Sequence, residues 1–413
     1  MRRIRTALFV DFDNVYLGLS KIDRDAAEKF ATDPGTWIAE LLEGEDAEGA
    51  FVRRFLVMKC YLNPSAFSKY RAPYTRAGFQ VVDTPSLTAQ GKSAADTSLV
   101  LDAMDALGAA VRYDEFIIAS ADADFTPLVQ RFRAADRQTT VITAGPSSGA
   151  YRSVADAVID ADALRDILSD SDAPEIVQEV VDAAAEGDSG QQTAARNQPK
   201  SGDQGPVKAV TKALQNAKSP LLLSRLAAVA LQANPGLKNS NWSGAGTFSK
   251  WVATNVPHVS VSTNTPGYAW DGRRFSKSDV PGAKASFDPA KLTVLQREIA
   301  KNTDVPGLTA KQFAALFQSL EAELQENGYT PGIAAKVNER CRTARVPVSQ
   351  SNVSFVVRAL AQSDLELTRK STLTELTQAW AKIVIGLAAG ARIEVDGAQK
   401  TEIREWVGAA PAV

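Results

Sequence analysis

Short apolar runs alternate with helix-period stretches through residues 1–168. Strands are predicted over 7–11, 54–62, 79–83, 115–120 and 139–143, where β-branched and aromatic residues follow one another without polar alternation, as a strand covered on both faces requires. Between them, apolar positions at the helical period predict helices over 36–42, 65–77, 93–107, 125–135 and 150–158. This alternation builds an α/β doubly wound parallel sheet. Such sheets bind ligands beyond the carboxyl ends of their strands, where the strand order reverses.

The pattern changes after residue 168. The stretch 169–206 reads as an acidic disordered linker, and from Glu186 to Gly205 it holds no large apolar residue. Helices are predicted over 207–214, 221–233 and about 247–254, followed by strands over 256–262 and 267–270. Three short helices and a hairpin describe a winged-helix-like domain over 207–278. Residues 285–413 are helical by pattern, with helices over 289–301, 310–326, 332–344, 350–361, 373–387 and 400–407. The turn at 345–349 there is compatible with a further helix-turn-helix.

Charge sharpens this division. The chain of 413 residues has a net charge of −2, but the charge is unevenly placed. Residues 1–168 carry 24 acidic and 19 basic residues (−5), and residues 169–206 carry 8 and 2 (−6). Residues 207–278 carry nine basic residues against Asp271 alone (+8), an electrostatic footprint for a polyanion. The remainder is nearly neutral, and the helical region at 285–413 is expected to serve self-association or a protein partner. No window approaches the roughly 18 apolar residues that a bilayer crossing needs. Asp11 and Asp13 interrupt the first apolar run too early for a signal-peptide core. A cytoplasmic protein with no membrane contact is expected. Two cysteines, Cys60 and Cys341, and one histidine, His258, exclude a disulfide framework, a Cys/His zinc site and a two-histidine mechanism.

Carboxylates are left to carry the chemistry. The first predicted strand ends in Asp11-Phe12-Asp13-Asn14 and the fourth in Ser120-Ala121-Asp122-Ala123-Asp124. If these two strands flank the switch point, their carboxylates converge. Asp96 joins them at the first turn of a helix whose buried stripe is expected to contain Asp96, Val100, Ala103 and Leu107, with Asp102 and Asp105 on the opposite side. Several buried carboxylates repel one another unless a cation sits among them, and oxygen-only ligands suit Mg²⁺ or Mn²⁺. Each group also has a structural reading. Asp96 can be a first-turn acid favoured by the helix dipole, and Asp122 or Asp124 can cap the helix that follows.

Gly91-Lys92-Ser93 has the end of a phosphate-binding loop but lacks its first glycine, since position 86 is Ser86. Phe9-Val10-Asp11-Phe12-Asp13 fits the opening of a haloacid-dehalogenase-like phosphatase. There, however, the catalytic lysine follows the hydroxyl, whereas Lys92 precedes Ser120.

Taken together, Phe9-Val10-Asp11-Phe12-Asp13-Asn14, Lys92-Ser93-Ala94-Ala95-Asp96 and Ser120 to Val129 resemble the NYN branch of PIN-like ribonucleases over about residues 4–168. The resemblance implies a divalent-metal nuclease fold related to PIN and FLAP nucleases. It implies a metal held by Asp11, Asp96, Asp122 and Asp124, with Asn14 and Ser120 positioning the phosphate, and it leaves the role of Asp13 open; beside the resemblance, Lys92 can stabilise phosphate charge near the site or stand as a solvated loop lysine. Phe248-Ser249-Lys250-Trp251, a Val-rich strand and Tyr268-Ala269-Trp270 resemble a LOTUS (OST-HTH) domain, a module associated with RNA binding. Lys208, Lys212, Lys250, Arg273, Arg274 and Lys277 are the expected phosphate contacts there, whereas Trp242, Trp251 and Trp270 read as core or groove aromatics. The expected activity is a Mg²⁺- or Mn²⁺-dependent endoribonuclease acting on single-stranded RNA. The alternatives are an RNA-binding adaptor with an inactive fold and, less favoured by motif order, a phosphatase.

Overall fold

The computed structural model describes residues 2–46, 48–84, 95–145, 149–169, 204–217, 219–264, 266–281, 288–346 and 348–409. The chain opens with β1 (Arg2–Asp11), α1 (Phe12–Ser20), α2 (Arg24–Thr32), α3 (Pro34–Leu42), β2 (Glu43–Asp46) and β3 (Gly49–Leu62). It continues through α4 (Pro64–Phe67), α5 (Arg71–Arg76), β4 (Gln80–Asp83), α6 (Ala95–Gly108), β5 (Glu115–Ala119) and α7 (Thr126–Ala134). β6 (Gln138–Ile142), α8 (Gly149–Val154), β7 (Ala157–Ile159) and α9 (Ala161–Ser169) complete this part.

These strands form one 7-stranded sheet in the order β2-β3-β1-β5-β6-β7, with β4 on β3. All pairings are parallel except β2 with β3. The order reverses at β1, which pairs with β3 on one side and β5 on the other, so the first and fourth predicted strands are neighbours. Alternate residues divide between two cores, as the period of a strand demands. Leu8, Val10, Ile117 and Ala119 face one core with residues of α1, α2, α3 and α9. Ala7, Phe9, Phe116 and Ile118 face the other with residues of α6 and α7.

The amino half of the sheet holds a buried polar group. Arg53 donates Nε and Nη2 to the two carboxylate oxygens of Glu115, at 2.6 and 2.9 Å, and Thr6 and Thr140 donate their hydroxyls to the same carboxylate. Arg53 also donates to the Leu41 carbonyl at 2.8 Å. At the other end of the sheet, Gly18 lets α1 approach the chain just after β6: a Cβ there would lie 2.8 Å from the Ala144 carbonyl oxygen.

Several elements differ from the pattern-based expectation. α1 begins immediately after β1, and α1, α2 and α9 were not anticipated. The predicted helix over 150–158 divides into α8 and β7, because Val158 and Ile159 pair with β6. The predicted helix over 65–77 breaks into α4, a 3₁₀ turn at Ser68–Tyr70 and α5. β2 was missed because Glu43–Asp46 is an edge strand with no apolar residue, and among the described strands it pairs with β3 alone.

The next part contains helices at Gln204–Asn216, Leu223–Ala233, Gly236–Asn239 and Phe248–Asn255, with β8 (Leu221–Leu222), β9 (Val259–Ser262) and β10 (Tyr268–Asp271). The strands form an antiparallel sheet in the order β8-β10-β9. Leu221 and Leu222, expected within a helix, instead pair with Ala269 and Tyr268. β10 faces two ways. Ala269 packs with Trp251, Leu226 and Val210, whereas Tyr268 and Trp270 join the core that contains Leu164 and Leu168 of α9.

Helices at Val294–Asn302, Ala310–Asn327, Ile333–Thr343, Gln350–Ala361, Leu373–Gly390 and Gly397–Val407 build the carboxyl-terminal part around its own core, including Phe313, Phe317, Trp380 and Trp406. Capping boxes at Thr293, Thr309, Thr372 and Asp396 start four of them. α9 connects the parts. Arg358 donates to Asp162 at 2.6 Å, Arg165 to the Pro331 carbonyl at 3.0 Å and Tyr268 to Asp166 at 3.2 Å. Among the described residues, no helix is long and apolar enough to cross a membrane.

Candidate metal and nucleic-acid site

The carboxyl ends of β1 and β5 meet at two strand-to-helix switches. Asp11 ends β1 and caps α1, accepting the Asn14 N–H at 3.4 Å. Asp122 caps the 3₁₀ turn Ala123–Phe125 and accepts the Asp124 N–H at 2.8 Å. The two switches are joined to each other. Ser120 donates its hydroxyl to Asp11 Oδ2 at 3.0 Å, and its oxygen accepts the Asp122 N–H at 3.2 Å. Asn14 Oδ1 accepts the Ala121 N–H at 2.9 Å. Asp11 and Asp122 therefore each cap a helical start at the sheet edge, Asp122 that of the 3₁₀ turn before α7.

Asp11 is only 5% exposed. Burial, followed by repulsion from Asp96, pushes its carboxyl up to about 7, against the Ser120 and Asn14 hydrogen bonds, which favour the anion. Asp96 lies in the first turn of α6. Partial desolvation, then repulsion from Asp122 and Asp124, raises it. Asp11 thus feels the charge of Asp96, and Asp96 that of Asp122 and Asp124.

The placement of Asp96 corrects the expected helix face. The buried stripe of α6 is Ala95, Leu99, Ala103 and Ala106, and Asp96 stands exposed beside it. Asp102, expected on the solvent side, is half-buried: it accepts the Tyr61 hydroxyl at 2.6 Å and pairs with Lys59 at 2.8 Å. The stripe is rotated by one residue because alanines and leucines, which the sequence distributes almost all round this helix, leave the face ambiguous. Asp13 holds the chain after β3, accepting the Asn63 N–H at 3.1 Å. Lys92 lies outside the described residues. Tyr151, which no motif singled out, is fully buried, and burial together with Asp122 and Asp11 raises its phenol.

All donors at this edge are oxygens, the chemistry that a hard divalent cation takes. Among the described residues, no group of three or more His, Cys, Asp or Glu side chains is gathered closely enough to hold a metal ion.

The basic residues of the second part are not alike. Lys208, Lys212, Lys250 and Lys277 are exposed. Arg273 instead makes a two-pronged pair with Asp271, at 2.8 and 3.0 Å, which holds that carboxyl low, at about 2. Arg274 donates to the Leu214 carbonyl at 3.1 Å and to that of Gln215, closing the end of the helix Gln204–Asn216. Trp251 and Trp270 are buried, and Trp242 packs on Phe248 and Trp251.

No curated protein matches the chain. The crystal structure of a protein of unknown function from Vibrio parahaemolyticus is similar at 22% identity and a TM-score of 0.29, over 38% of this chain and 92% of that one. The family model of the NYN domain matches residues 5–168, the part of the chain that contains the sheet and its acidic edge.

Proposed function

We propose that residues 1–168 hydrolyse RNA phosphodiester bonds with the help of Mg²⁺ or Mn²⁺, and that residues 207–278 are a winged-helix module of LOTUS type that captures single-stranded RNA. The observation that carries this reading is the Ser120 hydroxyl, which joins Asp11 at the end of β1 to the Asp122 turn after β5, with Asp96 close enough to raise the Asp11 carboxyl. The NYN match supports a PIN-like nuclease.

Asp11, Asp96, Asp122 and Asp124 would hold the ion, which when bound neutralises phosphate charge and makes water nucleophilic at neutral pH. Ser120 fixes the Asp11 carboxylate by its hydroxyl, and Asn14 ties the β5 turn to α1, so the two switches keep one relative position. No histidine is required. In the second part, the helices and the β8-β10-β9 sheet support a winged helix. Exposed Lys208, Lys212, Lys250 and Lys277 would grip phosphates without reading sequence. Arg273 and Arg274 are already engaged within the protein.

A second reading is an RNA-binding adaptor without hydrolysis, since the exposed lysines of residues 207–278 would hold RNA whether or not the acidic edge acts on it. Incubating the full chain with labelled single-stranded RNA, structured RNA and DNA, in Mn²⁺, Mg²⁺ or EDTA, separates the two. Metal-dependent shortening of RNA supports hydrolysis, and tight binding with intact RNA in every condition supports the adaptor.

A further inference from the structure

A groove of about 770 Å³ lies at the amino ends of β1, β5 and β6, at the far end of the strands from the acidic edge. β1 has ten residues, so at about 3.3 Å per residue the two ends stand roughly 30 Å apart. Seven arginines and three aspartates line the groove, an excess of four positive charges. The first part of the chain is acidic as a whole, and this groove reverses its sign locally.

The arginines divide into two groups, the engaged one including Arg137, which donates to the Asp136 carbonyl at 3.1 Å. Arg5 is held by Asp114 at 2.9 Å, Arg112 by Asp136 at 3.1 Å and Arg2 by Asp46 and Glu48. Arg3, Arg54 and Arg133 are exposed and make no ion pair or side-chain hydrogen bond among the described residues. The parallel register sets Arg54 directly beside Arg5, two residues along the strand from Arg3. Arg133, in the last turn of α7, lines the same groove. Like charges gathered on one concave wall repel until an anion enters, and guanidinium forks match the paired oxygens of phosphate.

We propose that this groove binds the phosphodiester backbone of nucleic acid, as a contact separate from both the acidic edge and the lysines of residues 207–278. The inference rests on the reading that RNA is the substrate, and it gives the sheet unit its own means of holding an RNA that extends beyond the cleavage site. A single strand long enough to reach both ends of the sheet engages the groove and the acidic edge at once, and a short one engages them one at a time.

The test uses the full chain in EDTA with fluorescein-labelled RNAs of 6 and 30 nucleotides, read by anisotropy between 50 and 200 mM salt. Arg3→Glu/Arg54→Glu/Arg133→Glu should weaken binding of the longer RNA at least tenfold and remove most of its advantage over the shorter one. Arg3→Gln/Arg54→Gln/Arg133→Gln should make the plot of log K against log salt shallower by about 2, at roughly 0.7 per phosphate contact on a single strand. Reversal of Lys301, Lys311 and Lys400, outside the groove, controls for net charge, and thermal melting confirms that each variant is folded. Wild-type affinity and slope in folded groove variants overturn the proposal and leave hydrolysis standing. So does an effect equalled by the lysine control, or displacement of RNA by polyglutamate as readily as by unlabelled RNA. A wild type that binds through the groove but never shortens RNA in Mn²⁺ overturns hydrolysis alone.

Discussion

Ser120 at the end of β5 donates its hydroxyl to Asp11 at the end of β1, 3.0 Å away, and the same oxygen accepts the Asp122 N–H. One buried hydroxyl thus ties two strands and two helix starts together. Ser120→Ala should destabilise the protein by about 1–3 kcal/mol, because it strands a buried acceptor and a backbone donor at once. Urea denaturation measures this, and a loss below a few tenths of a kcal/mol would show that water replaces the hydroxyl.

Asp11 provides a pH signature in the absence of metal. Its folded carboxyl stands at about 7 against an ordinary 3.8, so the folded state holds this proton more tightly than the unfolded state. Its contribution to stability is complete below about pH 4 and is lost as pH rises to about 7. The loss is at most about 4 kcal/mol. In EDTA, Asp11→Asn should melt above the wild type at pH 8, with the gap closing towards pH 4. A gap independent of pH contradicts the raised carboxyl.

The link between Asp11 and Ser120 was legible because both residues sit where continuous apolar runs stop. Phe9-Val10-Asp11 and Ile118-Ala119-Ser120 announce strand ends, and a parallel sheet brings such ends to one edge. The face of α6 was not legible, since Ala95, Val100 and Ala103 mark no narrow stripe. α1 and α2 were hidden because their starts are capped by Asp11 and Asp23, acids that the sequence offers equally as loop residues. The arginine groove was invisible in segment charges. Arg3, Arg54 and Arg133 are distant in sequence, and only the β1–β3 register and the end of α7 bring them together.

The Arg53–Glu115 pair has both side chains 3% exposed. Removing one partner, as in Arg53→Met or Glu115→Leu, should cost about 3–5 kcal/mol, and the double variant should recover most of it. Chemical denaturation of the three variants provides the coupling. Additive losses would show that the two side chains do not act as a unit.

Tyr268, Trp270 and Arg358 fasten the later parts of the chain to α9. A protease site engineered within residues 170–203 should therefore, once cut, give two fragments that still elute together. Arg358→Ala, which removes the guanidinium 2.6 Å from Asp162, should weaken that association at least tenfold. Separate elution of the unmutated fragments contradicts the shared core.

The most direct measurement is the cleavage rate of a labelled single-stranded RNA by the wild type, Asp96→Asn and Asp122→Asn across a Mn²⁺ titration, with EDTA as the end point. Metal-dependent cleavage by the wild type is expected, with none in EDTA and rates at least a hundredfold lower in both folded variants at every Mn²⁺ concentration. Cleavage that persists in EDTA, or wild-type rates in Asp96→Asn and Asp122→Asn, would contradict it.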